Sequence, residues 1–142
     1  MTMRNKVNRL FLIAILLGFS PRPSSAGWFT EKLPKTVTGT VYLSGDNTIV
    51  ALVTEKRIKV NAYALFTQST TTVIATFKDG TSTSKWTVPL VSFSSSTVFG
   101  ANLALAPPSF LFATSPGNLL NLNLSSGNTV YYSISYWDDD AN

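Results

Sequence analysis

Few residues of this 142-residue chain are equipped for chemistry. It holds no His and no Cys, which excludes imidazole acid/base work, Ser-His-Asp triads, thiolate zinc sites and disulfides. Ser82-Thr83-Ser84-Lys85 has the Ser-x-x-Lys spacing of penicillin-binding enzymes. That chemistry needs the serine at a helix N-terminus beside the lysine. Here the four residues fall in a strand pattern, where positions three apart point to opposite faces, so the match is read as chance. Among the carboxylates, Glu31, Asp46, Glu55 and Asp79 sit in turns or flanks, and no spacing pairs two of them for acid/base catalysis. Asp138-Asp139-Asp140 has the hard oxygen donors of a calcium ligand set, but a solvated, frayed C-terminus is the simpler reading. The expectation is a protein that is no enzyme and carries no cofactor and no metal.

The aromatic residues are the more informative set. Trp86 falls in an expected hairpin, Tyr131 and Trp137 share one face of the last strand, and Phe110 and Phe112 lie in an irregular stretch. Aromatic rings on a sheet stack on sugars, fill cores or anchor subunit interfaces. Trp86, Tyr131, Trp137, Phe110 and Phe112 are therefore the candidate interface or glycan contacts, with core or interface favoured over sugar. Asn123-Leu124-Ser125 fits the glycosylation acceptor pattern, which matters only in a eukaryotic secretory pathway.

Strands must position these side chains. In residues 36–43, Val37, Val41 and Leu43 alternate with Thr36, Thr38, Thr40 and Tyr42, as in a half-buried strand. Ser44-Gly45-Asp46-Asn47 reads as a turn before the apolar run 49–53, and Thr54-Glu55-Lys56 as another. Ile58, Val60, Ala62 and Ala64 then alternate with Arg57, Lys59, Asn61 and Tyr63. Residues 71–78 form a β-branched strand ending at the hairpin signal Asp79-Gly80, with 81–88 as its partner and Pro89 forcing an edge or a break. Residues 93–118 read as a long loop holding one or two short strands. Alternation returns in 120–124 and in 130–137, where Val130, Tyr132, Ile134 and Tyr136 share a face. Strands at this spacing predict an all-β protein, an antiparallel β-sandwich of jelly-roll type over 36–142, with 27–35 as a linker.

The first 26 residues are different. Arg4, Lys6 and Arg9 precede an apolar run, 10–17, and Ser24 and Ala26 are small residues separated by one position. This is the layout of a secretory signal peptide cut after Ala26, an apolar leader helix; the rival readings are an uncleaved N-terminal anchor or an N-terminal arm packed into an assembly. The formal charge of +4 also belongs to this leader, which carries Arg4, Lys6, Arg9 and Arg22 and no acid. The remainder is neutral. Its one basic cluster, Lys56, Arg57 and Lys59, reads as a solvated strand edge, and no nucleic-acid partner is expected. Charged residues are 13%, about half the roughly quarter usual in a domain. Hydroxyl-rich, charge-poor surfaces suit packing against other subunits.

Several stretches carry a resemblance. They are Ser44-Gly45-Asp46-Asn47-Thr48-Ile49-Val50-Ala51 leading to Lys56-Arg57-Ile58-Lys59-Val60, then Thr76-Phe77-Lys78-Asp79-Gly80. Phe112-Ala113-Thr114-Ser115-Pro116-Gly117, the run 119–125 and the closing strand 129–137 follow. In this order they resemble small β-sandwich virion proteins of tailed bacteriophages, of the head-decoration or fibre-base type. The resemblance implies no cofactor and no reaction. It implies symmetric homo-oligomers, trimers above all, seated in the virion among other virion proteins. The alternative expectation takes the leader at face value: an exported adhesion or carbohydrate-binding module, secreted or periplasmic, touching surface glycans.

Overall fold

The computed structural model describes residues 33–91 and 98–140. The expected leader helix and its cleavage site, and residues 27–32 of the linker, lie outside them. Among the described residues there are nine strands and no helix. They are β1 (Lys35–Val41), β2 (Gly45–Val50), β3 (Lys56–Thr67), β4 (Val73–Asp79) and β5 (Thr83–Leu90). β6 (Phe99–Ala104), β7 (Phe112–Ala113), β8 (Leu120–Leu124) and β9 (Val130–Asp140) follow.

The strands build two antiparallel sheets. One runs β1-β9-β3-β6, with β7 also paired to β3, and the other runs β2-β8-β4-β5. Alternation decides what each buries. Ile58, Val60, Leu65, Val130 and Ile134 from the first sheet meet Val73, Ala75, Phe77, Val88, Leu90, Leu120, Leu122 and Leu124 from the second in one apolar core. Phe77 lies at its centre, with ring centroids 5.4 Å from Tyr63 and 5.2 Å from Phe112. The molecule is a β-sandwich, as the spacing of strands predicts.

Three expectations need correction. The inward residues of β3 are not the whole series Ile58, Val60, Ala62 and Ala64. Val60 pairs with Tyr136 but Ala62 pairs with Ser135, so Asn61 is an extra residue in the ladder, a β-bulge. Beyond it the parity flips, and Tyr63, Leu65 and Thr67 turn inward instead. The Asn61 side-chain amide donates to the Leu105 carbonyl at 3.2 Å, and the Leu105 amide donates to the Asn61 carbonyl at 2.8 Å, so the bulge is tied to the chain leaving β6.

β3 is also no edge. It lies between β9 on one side and β6 and β7 on the other, so its basic cluster sits inside a sheet. The last correction is at the C-terminus, where Asp138, Asp139 and Asp140 are not frayed but continue β9, opposite Ile58, Arg57 and Lys56.

Smaller shifts concern ends of elements. Gly45, Asp46 and Asn47 already belong to β2, and the chain turns just before them, where the Asn47 amide holds the Leu43 carbonyl at 2.9 Å. The β4–β5 hairpin forms as expected, but Asp79 closes its first strand, Gly80 takes the left-handed turn position (φ 63°), and β5 starts at Thr83. Pro89 is accommodated because β5 is an edge strand.

Candidate functional site

The residues that sequence reasoning singled out do not converge. Phe112 is a core residue whose ring packs on Phe77. Trp137 points to the outer side of its sheet yet is only 7% exposed. Phe110 covers it edge-on, with ring centroids 6.4 Å apart, and the Lys59 ammonium lies 5.0 Å from the Phe110 centroid. The loop after β6 thus folds back over the sheet, and Trp137 offers no open face to a sugar.

Trp86 has inward parity, opposite Phe77 on β4. It sits on the edge strand β5, 36% exposed, and its indole N–H donates to the Tyr63 hydroxyl at 3.2 Å. It closes the side of the sandwich rather than forming a platform on a sheet face.

Tyr131 is the candidate that remains open. It is exposed on the outer face, directly opposite Phe66 on β3, which is also exposed. Phe66 was not among the expected residues: continuing the alternation of Ile58 and Val60 sends it into the core, and only the bulge at Asn61 brings it out. Its ring lies over Gly100 on β6, where a Cβ would collide with it. No side chain but hydrogen fits beneath.

Registers define the part of this outer face between Tyr131 and Ser135 as three rows across four strands, beyond which it continues to Trp137 and Lys59 and to Asp139 and Arg57. Thr36, Ser135, Ala62 and Ala104 form one row; Thr38, Ser133, Ala64 and Asn102 the next; Thr40, Tyr131, Phe66 and Gly100 the third. This part is small, uncharged and hydroxyl-bearing, with one aromatic ridge at its end.

Charge is held elsewhere and is internally balanced. Every lysine among the described residues is ion-paired: Lys35 to Asp138, Lys56 to Asp140, Lys59 to Asp139, Lys78 to Asp46 and Lys85 to Asp79. The hydrogen bond and charge of Asp138 raise the Lys35 ammonium above its ordinary value. Burial alone would push the Asp46 carboxyl up, but the Asn123 amide and Lys78 outweigh it and hold Asp46 below the usual range.

Asp79 is the most enclosed carboxylate. Its oxygens accept the Ser115 amide at 2.9 Å, the Ser115 hydroxyl at 2.7 Å and the Asn118 side-chain amide at 2.8 Å, with Lys85 at 3.3 Å. Burial would raise its pKa; the hydrogen bonds from Asn118 and Ser115, with Lys85, more than offset this and lower it. A carboxylate held ionised with its acceptor sites filled is a clamp, pinning loop 114–119 to the end of β4. The lysine of the Ser-x-x-Lys match serves this clamp, and Ser82 lies in the turn before β5. Among the described residues, no three carboxylates gather in a metal-binding group.

The chain matches no protein-family model and no curated protein.

Proposed function

We propose that this protein is a non-enzymatic structural subunit, a phage virion decoration or fibre-attachment component that works through contacts with other subunits. The strand pairing carries the reading. With the two-residue β7 set aside, the first strand pairs with the last, the second with the seventh, the third with the sixth and the fourth with the fifth. A long hairpin rolled on itself in this way is the jelly roll, an architecture of viral capsid and lectin domains. The three uncharged rows of the outer face, largely of Thr, Ser, Ala and Asn, support the same reading, since they can meet another protein without stripping water from a charge. So does the resemblance to small virion proteins of tailed phages. Density-gradient purified particles are expected to carry the chain at a fixed copy number. Its absence from particles, combined with a compact monomer in solution, sinks the proposal.

The alternative, an exported adhesion or carbohydrate-binding module, is favoured by one observation: Trp86 leaves part of its indole open, on a wrapping that lectins share. The intact mass of the mature chain separates the two. A start at Gly27 favours export, and a start at Met1 or Thr2 favours the virion. Glycan-array binding that is lost in Trp86→Ala favours the lectin reading.

A further inference from the structure

Among the described residues, each sheet ends in strands that pair on one side only, and such edges are normally blunted by charge, proline or a bulge. β1 carries Lys35, and β2 carries Asp46 and a register break between Thr48 and Val50. β5 carries Lys85 and Pro89, and its pairing breaks between Phe77 and Lys78. β6 has none of these devices. Its residues, Phe99 to Ala104, are uncharged, and its pairing with β3 runs unbroken from Ala62↔Ala104 to Thr67↔Phe99.

The ladder also shows which backbone groups are left over. Because the Leu105 amide bonds the Asn61 carbonyl, the alternation of an antiparallel pair turns the amides and carbonyls of Ala101 and Leu103 toward β3. Those of Gly100, Asn102 and Ala104 turn away from it, and no described strand pairs with them. Exposed Val98, Leu103 and Leu105 flank the same edge. An uncharged row of outward amides between apolar side chains is a template for another strand.

We propose that β6 joins two copies of this chain, antiparallel about a two-fold axis through Ala101, making one continuous sheet. This rests on the reading that the protein works through subunit contacts, and it names the contact. The strand is its own complement. With Ala101 on the axis, Gly100 faces Asn102 of the second copy and Val98 faces Ala104, so outward amides meet outward carbonyls and no like charges oppose each other. The bulkier Asn102 falls opposite the one residue of β6 without a side chain. The ion-paired lysines leave no excess charge on the described residues to repel a second copy.

The test compares the full-length chain with two variants by size-exclusion chromatography with light scattering. The Asn102 amide makes no bond to β3, so Asn102→Pro removes no internal hydrogen bond while closing the edge. It is expected to weaken association ten-fold or more and keep the circular dichroism spectrum. Ala101→Cys introduces the chain's only thiol. In a non-bonded antiparallel pair the two Cα atoms are about 4.5 Å apart, within disulfide reach, so mild oxidation should give a covalent dimer. If the wild type associates, but Asn102→Pro associates equally well or Ala101→Cys gives no covalent dimer on oxidation, the β6 joint is overturned and the subunit-contact reading stands. A purely three-fold wild-type species also overturns the joint. A wild type that is monomeric at all concentrations overturns both. Should Asn102→Pro fail to fold, Ala101→Cys decides alone.

Discussion

Lys59 and Asp139, eighty positions apart in the chain, form an ion pair across neighbouring strands of one sheet. Two clusters that look unrelated in sequence, the basic 56–59 and the acidic 138–140, are thereby zipped together, with Lys56 opposite Asp140 and Arg57 opposite Asp139. Such partly exposed pairs contribute only about 0–1 kcal/mol each. Their larger effect is on register, because a slip of β9 by one residue would turn Ile134 out of the core.

Reversing one partner therefore has a modest, salt-sensitive cost. Lys59→Glu should lower stability by about 1 kcal/mol at low ionic strength, and adding Asp139→Lys should restore part of it. A double-mutant cycle by urea denaturation, repeated in high salt, measures the coupling and its screening.

The Asp79 clamp should matter more. Asp79→Ala strips hydrogen bonds from Ser115 and Asn118 and leaves Lys85 without its partner, at an expected cost of about 2–4 kcal/mol. The urea midpoint should fall with an unchanged slope, as for a change in stability rather than in the denatured state. Asp79→Asn, which keeps the shape and one acceptor, should cost less.

The pH dependence follows from the signs of the shifts. Asp79 and Asp46 have lowered folded pKa values, so their contribution is fully present above the unfolded value of about 3.9 and is lost as pH falls through the folded values. Lys35 is raised, so its small, solvent-screened contribution is present below about 10.4 and is lost as pH rises through the folded value. With no His in the chain, stability should be flat from about pH 5 to 9. Thermal melts across pH 2–11 check this, and the acid limb should shrink in Asp79→Asn.

The bulge makes the sharpest structural prediction. Deleting Asn61 removes the extra residue and leaves Val60 and Ala62 as neighbours opposite Tyr136 and Ser135, a regular ladder in which Tyr63 and Leu65 still turn inward. The deletion should therefore fold and keep the circular dichroism spectrum while losing both bonds to Leu105, at about 2 kcal/mol, whereas Asn61→Ala, which loses only the side-chain bond, should cost about 1 kcal/mol by denaturation.

Where the pattern is local, the sequence is readable. Seven of the nine strands fall where alternation, β-branching and turn residues place strands, because those signals are set by neighbours in the chain; β6 and β7 lie in the stretch that reads as a long loop with one or two short strands. The loss begins at Asn61, where nothing in Lys59-Val60-Asn61-Ala62 marks an inserted residue; its partner, Leu105, is remote in sequence. Phe66 was missed for that reason, and the cover of Phe110 over Trp137 depends on a loop with no periodicity. The acidic tail reads as solvated in the sequence because its cations lie in a strand far upstream. Asp79 was legible as a turn signal but not as a clamp, since Ser115 and Asn118 reach it only in the folded sandwich.

Exposed aromatics test the proposed face separately from the fold. Tyr131→Ser removes an open ring and should change stability by no more than about 1 kcal/mol. Its incorporation into particles should nonetheless drop, because aromatic anchors dominate interfaces. Quantitative blotting of purified particles against a stability control reads the difference.

Sedimentation equilibrium of the full-length chain at micromolar to tens of micromolar concentration tests the central claim most directly. A protein that works through subunit contacts should sediment as a discrete multiple of the 15.4 kDa chain. A single species of chain mass, unchanged at every concentration, would contradict it.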